Sequence, residues 1–566
     1  MTGHLRSPSC RVDGQPDVAI ARPARKEDEL SVLTRFSIYP YPDVRRQVDR
    51  CSWPRHLCAA LCVVLGLLAA PNVFAFSLEQ VDAVAQALAE REHEPTPPIP
   101  EALGKIDADT FGQIRYKRGS RLDWTGARFS IRPVSAGHVY RHPVELFEVV
   151  DDEVQQVAFT KSDFDWPNES FARKVPADLG FAGFDIRYPL QRPDAPETVV
   201  RFLGGALFRA VAHDQVMGAH ARGLAIDTGL PAGEEFPAFR RFWLVRPEPG
   251  ARRMTLYALM DSKSLTGAYR FVIEPGADQT IIRVKARLHA RRPVDRLGLA
   301  PISSMYFYGR NERPDDSHWR PAVFSSSGLL IHEGEGDWLY RPLRNPRELR
   351  LDQFPADGVR GFGLMQRDTR FGTFEDPVGR FEKRPSVWVT PQAGFGGGTL
   401  DLVQLPVNSE RHENQVVFFE PHEPLKPGDP IGVAYDVSFG QRDAVAEEVA
   451  QVRGVLIGVE GAEEQGGEQS APAYRVNVDY TGGALSSLSD SAPVVASISR
   501  EQSVRVLEQS VAPLPAGGWR LSMLLQPTGE QPLRVRASLA LEGKTISESW
   551  QDTLPGQVGR YLEEGK

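Results

Sequence analysis

Beyond Cys62 the chain contains no cysteine. All four cysteines, Cys10, Cys51, Cys58 and Cys62, lie inside or upstream of one apolar run, so the rest of the chain can use neither a thiol nucleophile nor a disulfide. An excess of positive charge is missing too. With 66 Lys and Arg against 74 Asp and Glu, a formal net charge of −8, no field of the chain as a whole draws it to nucleic acid or anionic lipid. The common catalytic signatures are absent: no His-Glu-x-x-His, no Gly-x-Ser-x-Gly and no Walker loop. Gly394-Phe-Gly-Gly-Gly398 reads as a turn or bulge, and His213, His220, His332 and His422 have no metal-like spacing, so neither metal nor cofactor is expected.

What is present bounds the class. At 566 residues the chain exceeds what one core of roughly 250–300 residues holds, so several domains are expected. Its 41% hydrophobic and 25% charged residues are those of a globular protein, and 50 Gly with 45 Pro suit a loop-rich all-β architecture. The apolar run, residues 57–70 (LCAALCVVLGLLAA), falls short of the roughly 20 residues that span a bilayer. Preceded by Arg50, Arg55 and His56 and followed by Asn-Val-Phe-Ala75, it reads as a signal peptide cleaved after Ala75, which implies export to the periplasm. Residues 1–47 precede it as a polar extension upstream of the expected start.

Ser77 with Gln80 forms a capping-box pattern, and Leu78, Val81, Ala85 and Leu88 recur at helical spacing, which predicts a helix over 78–92. From Pro95 onward, short alternating runs such as Met254-Thr-Leu256 and Thr280-Ile-Ile282-Arg-Val284 describe strands with one face in a core. The charged stretch 408–414 is taken as a boundary. It divides a large β-sandwich over 76–407 from a smaller, immunoglobulin-like β-sandwich over 415–566, with a loose loop at 460–471.

The middle of the chain is dense in aromatic, basic and acidic residues: Tyr306, Tyr308, Trp319, Trp338, Tyr340, Arg341, Arg367, Glu375, Asp376, Arg384 and Trp388. A sugar groove needs that mixture, because pyranose faces stack on rings while hydroxyls demand charged or amide partners. The plainer account is that these aromatics fill a large core and the arginines pin loops. If Phe374 to Pro377 is extended, Glu375 and Asp376 point to opposite sides. A carboxylate partner for Asp376 must then come from another strand. Asp261 is the first choice, ahead of the loop acids Asp315 and Asp337, although a turn-capping role before Ser262 explains Asp261 better than catalysis does.

Several long segments carry a resemblance. Arg222-Gly-Leu-Ala-Ile-Asp-Thr-Gly229, Gly233-Glu-Glu-Phe-Pro-Ala-Phe-Arg240, Leu299-Ala-Pro-Ile-Ser-Ser-Met305, Gly336-Asp-Trp-Leu-Tyr-Arg-Pro-Leu343, Gly361-Phe-Gly-Leu-Met-Gln-Arg367 and Arg384-Pro-Ser-Val-Trp-Val-Thr-Pro391 resemble the periplasmic glucan biosynthesis protein G/D family, from Phe76 to the region of Trp550. The resemblance implies a galactose mutarotase-like large sandwich, a role in making osmoregulated periplasmic glucans, and β-1,2-glucan as the polymer handled. It further implies an inverting glycoside hydrolase with Asp376 as general acid. On this reading Trp338, Tyr340, Tyr306, Tyr308 and Trp388 are stacking candidates, while Arg341, Arg367, Arg384 and Glu375 meet sugar hydroxyls. The membrane glucosyltransferase of the same pathway is a candidate partner. The rival expectation is a non-catalytic scaffold that presents the nascent polymer to branching or substituting enzymes.

Overall fold

A computed structural model describes residues 75–566 apart from 118, 120, 193, 311, 313–317, 442–443, 446, 461–471 and 559–566. The signal-peptide run, Asp315 and nearly all of the 460–471 loop therefore lie outside the described residues. The expected helix forms over Leu78–Ala89, where Gln80 Oε1 accepts the Ser77 N–H at 2.9 Å. Its apolar stripe, Val81 and Ala85, packs on Val149, Trp243, Tyr257, Leu259 and Ala268, on the outer face of a large sheet. No helix among the described residues is long and apolar enough to cross a membrane.

The chain is all-β, as expected. One sheet runs in the order Ser130–Ser135, Phe181–Tyr188, Glu197–Leu203, Leu207–Ala210, His220–Arg222, Leu297–Ser304, Gln415–Pro421, Gly398–Gln404, Arg350–Pro355. A second, longer sheet faces it, built around the antiparallel meander Ala238–Val245, Met254–Asp261, Leu265–Glu274, Gln279–Ala290. In Gln279–Ala290 every second residue from Thr280 to Ala290 is buried, the period-two pattern of a strand with one face inward. The two inner faces meet through aromatic rings: Phe202 of one sheet lies 5.2 Å from Phe271 of the other, edge to face.

The boundary expected at 408–414 is corrected by strand pairing. Gly398–Gln404 and Gln415–Pro421, on either side of it, are hydrogen-bonded neighbours in one sheet. Ile431–Gly440 lies between Gln279–Ala290 and Ser386–Ala393 in the other. The large sandwich thus runs to Gly440, because a charged hairpin connection looks like a linker when the pairing of its flanking strands is unseen. A smaller sandwich follows. Its four-stranded sheet, Gln451–Glu460, Ala473–Thr481, Trp519–Pro527 and Val504–Pro513, shares a core with Val495–Arg500, Leu533–Leu541 and Ser549–Leu554. Ser549–Leu554 also pairs in parallel with Trp338–Pro342, so the second large sheet continues into the smaller sandwich.

Glu420, on Gln415–Pro421, sits beside the fully buried Asp401, and burial together with that second carboxyl pushes it up to about 7 despite Arg296 at 3.1 Å. A carboxyl whose folded value exceeds its unfolded one binds a proton more readily in the fold, so stability falls as pH rises from the ordinary carboxyl range through 7. Glu420→Gln is therefore expected to raise the melting temperature at pH 8 and leave it nearly unchanged at pH 5, as thermal unfolding at the two pH values will show.

Candidate functional site

Asp376 does not lie on an extended segment. Phe371–Phe374 makes one helical turn, Glu375 closes it in the left-handed region at φ 53°, and Asp376 begins a tight turn. Its Oδ1 accepts the N–H groups of Val378 at 2.9 Å and Gly379 at 2.7 Å, the short-range capping that Asp makes in turns. A side chain at 379 could not be accommodated, since its Cβ would lie 2.5 Å from Phe381 and 2.7 Å from Asp376 Oδ2.

The other oxygen, Oδ2, accepts from Arg320 Nη1 at 3.0 Å. That same Nη1 donates to Glu410 Oε1 at 2.9 Å, and Nη2 donates to Glu410 Oε2. One guanidinium thus bridges two carboxylates. Burial opposes ionisation of Asp376, but the Gly379 N–H, Arg320 and the Val378 N–H outweigh it and hold the carboxyl below its usual range. Asp376 is 6% exposed, on a surface turn rather than in the sandwich core. Around it the surface is open: Val378 is 91% exposed, Phe371 51%, and Trp319, whose ring lies 5.6 Å from the Arg320 guanidinium, 63%.

Beside this bridge lies a polar basin of about 470 Å³, lined by Arg209, Ser325, Arg384, Glu410, Arg411 and Glu413 among others. Glu413 is held by Arg209 at 3.0 Å and by His220 Nδ1 at 2.6 Å. Burial pushes the His220 imidazole down against the pull of Glu413, and Glu413 is held below its usual range, despite its own burial, by His220 and Arg209. Arg384 donates to Ser325 Oγ and lies 4.0 Å from the Phe381 ring.

The sequence candidates divide. Asp376, Glu375 and Arg384 gather at this site, with Glu375 exposed beside Asp376. Tyr306 and Tyr308 are buried behind it: Tyr306 stacks on Phe324 and donates to Glu312 at 2.5 Å, and Tyr308 donates to the Arg320 carbonyl at 3.3 Å. They offer no open ring face. Trp338, Tyr340 and Trp388 lie on strands facing the smaller sandwich. Trp338 stacks on His332 at 3.9 Å, and Trp388 lines a separate crevice of about 690 Å³. Tyr340 is buried beneath the Arg367 guanidinium at 4.6 Å. Arg367 pairs with buried Glu548, and Arg341, 1% exposed, with Asp352 and Asp552. Both arginines are consumed by core ion pairs.

Asp261 is not brought to Asp376. It ends the strand Met254–Asp261, holds Arg291 at 2.7 Å, Arg240 at 3.4 Å and His93 at 3.4 Å, and lines a different cavity of about 700 Å³ beside the N-terminal helix. Asp337 lines yet another, with Glu333 and Arg536. Nor does Glu410 fit as the water-activating partner. Two carboxylate oxygens sharing one nitrogen sit closer than the roughly 6.5–9.5 Å spacing of an inverting pair. The residues that sequence reasoning missed are Arg320, Glu410, Glu413, Arg209 and His220; Trp319 is among the region's aromatics but not among the stacking candidates. Glu410 and Glu413 stood in the charged stretch read as a linker.

Fold and site define an all-β, two-sandwich protein with an open basin of guanidinium and carboxylate groups, and with an exposed indole beside the Arg320 guanidinium that bridges Asp376 and Glu410. Residues 76–553 match the family model described as periplasmic glucan biosynthesis protein, MdoG, and the chain belongs to that family. It is 36% identical over 510 residues to Glucans biosynthesis protein G of Pseudomonas paraeruginosa (strain DSM 24068 / PA7), covering 88% of this chain and 97% of the relative. It is 37% identical over 501 residues to Glucans biosynthesis protein G of Sodalis glossinidius (strain morsitans), covering 87% and 95%. Among solved structures, the GH36 alpha-galactosidase AgaA from Geobacillus stearothermophilus aligns over 38% of this chain and 30% of its own, with TM-score 0.22 and 11% identity. That likeness is too slight to carry an argument.

Proposed function

We propose that this chain acts in periplasmic glucan biosynthesis, exported by the segment ending at Ala75, and that it binds β-1,2-linked glucan along the surface carrying Trp319, Asp376 and the arginine basin. On this reading it cleaves the polymer with Asp376 as general acid, serving or serving beside the membrane glucosyltransferase of the pathway. The relatives named Glucans biosynthesis protein G support glucan biosynthesis as the pathway and a glucan as the polymer. The observation that carries the site is the pairing of an exposed indole with a bridged, nearly covered carboxyl at Asp376. Such a ring can take a pyranose face while Arg320, Arg384 and Glu410 meet hydroxyls.

A general acid must carry a proton, and in the unliganded chain Asp376 is held ionised. Hydrolysis therefore requires bound glucan to draw Arg320 away from it. If Arg320 stays, the second reading holds, in which the chain carries glucan to branching or substituting enzymes without cutting it. Incubation with linear β-1,2-glucan separates the two. New reducing ends with the unmodified protein are expected; tight binding with none formed establishes the carrier, and no binding at all overturns both.

A further inference from the structure

We infer that the basin beside Asp376 is an anion-binding subsite, with Arg384 as its centre and Arg411 at its mouth, and that it takes a carboxylate or phosphate ester group carried on the sugar. The inference rests on the glucan reading of this surface for the sugar, but on the basin's own geometry for the anion.

Arg384 is the unusual member. Its Nε is out of solvent with no hydrogen-bond partner, one Nη meets only the uncharged Ser325 hydroxyl, and the other makes a long 3.4 Å contact with the Gly379 carbonyl. Glu410, Glu413 and Asp376 attract it from a distance. Among the described residues none of them reaches ion-pair contact, because each is already engaged: Asp376 and Glu410 by Arg320, Glu413 by Arg209 and His220. The neighbouring cations Arg380 and Lys383 are turned to Asp214, at 4.0 and 2.8 Å. Burial and the repulsion of Arg209 push the Arg384 guanidinium down to about 10. A half-buried guanidinium whose Nε is out of solvent and which no carboxylate contacts is a costly arrangement in a folded protein. It is the arrangement expected where the missing partner is a ligand, since the planar fork of Arg matches a carboxylate or phosphate through two parallel hydrogen bonds. The basin of about 470 Å³ leaves room for a substituted sugar ring, and Arg411, an exposed residue of its lining, supplies a second cation.

The test uses the mature full chain and three probes in calorimetric titrations: glucose, glucuronate and dimethyl phosphate, with linear β-1,2-glucan titrated separately. Glucuronate is expected to bind more tightly than glucose, dimethyl phosphate to compete with it, and both to weaken as salt rises. Arg384→Gln should weaken glucuronate binding roughly tenfold or more, the scale of a charge-assisted hydrogen bond lost from a buried site. Because the Arg384 guanidinium lies over the Phe381 ring and its stem packs against Gly218, that variant can lose the fold. Arg411→Gln, on the exposed rim, is expected to weaken the anions several-fold with unfolding unchanged. Equal affinity for glucose and glucuronate, with glucan still bound, overturns the anion subsite and leaves the glucan reading standing. Binding of glucuronate and dimethyl phosphate without binding of glucan supports the subsite and overturns the glucan reading.

Discussion

Asp552→Ala is expected to lower stability by about 3–5 kcal/mol, the range for stripping one partner from a buried ion pair. Asp552 has no exposed surface and receives Arg341 Nη1 at 2.9 Å and Arg344 Nη2. Arg341 also reaches Asp352 at 2.9 Å, and Arg350 reaches the same carboxylate at 3.1 Å. Among the described residues three guanidiniums thus share two carboxylates, and removing Asp552 takes a counter-charge from the buried Arg341 and Arg344. The cluster lies on the seam where Trp338–Pro342 pairs with Ser549–Leu554, so its loss loosens the join between the sandwiches. The fall is read from the urea midpoint, followed by tryptophan fluorescence and far-ultraviolet circular dichroism together, since separate transitions would reveal the smaller sandwich unfolding alone. Glu460→Gln, at the exposed pair with Arg475, serves as the comparison and is expected to change stability by less than about 1 kcal/mol. Equal midpoints for the two variants would contradict the seam's role.

The same cluster shows why part of this molecule was readable in the sequence and part was not. Helix Leu78–Ala89 was legible because its cap and its apolar stripe are local. Gln279–Ala290 was legible because alternation is a property of one strand. Ion pairs are different. Arg344 and Asp552 stand 208 residues apart, Arg209 and Glu413 204, and Arg320 and Glu410 90, and no periodicity marks such partners. Arg341 and Arg367 therefore looked as free to meet sugar as Arg384, although the fold spends them on Asp552 and Glu548. The charged stretch 408–414 misled for a related reason. Charge usually marks a solvated connection, but here two of its carboxylates are turned inward to guanidiniums delivered by distant strands and loops. Aromatic density was a true signal of a ring-rich region, yet composition could not distinguish Trp319, which faces solvent, from Tyr306 and Tyr308, which face the core.

If the glucan is cut, Asp376→Asn is expected to reduce the release of reducing ends by roughly 100- to 10,000-fold, the usual contribution of a positioned general acid. Binding should survive within a few-fold, because an amide oxygen at that position can still accept the N–H groups of Val378 and Gly379. Arg320→Gln supplies the sign. Burial favours the protonated form of Asp376, and Arg320 is one of the groups that overrides it. Removing that charge lifts the carboxyl, and an acid catalyst works only below its own value, so the alkaline limb of kcat/KM must move to higher pH. Stability moves with it in the opposite pH range. In the unmodified chain the ionised Asp376 steadies the fold above the ordinary carboxyl range, and that contribution fades as pH falls through its depressed value; Asp376→Asn should lack this acid-side loss. A kcat limb that stays in place in Arg320→Gln while the kcat/KM limb moves is expected if bound glucan draws Arg320 away, because kcat reports the complex and kcat/KM the free chain; a kcat/KM limb that does not move would mean that Asp376 does not set it. Undiminished cleavage by Asp376→Asn would instead place the acid elsewhere and leave the bridge of Asp376, Arg320 and Glu410 as scaffolding for the basin.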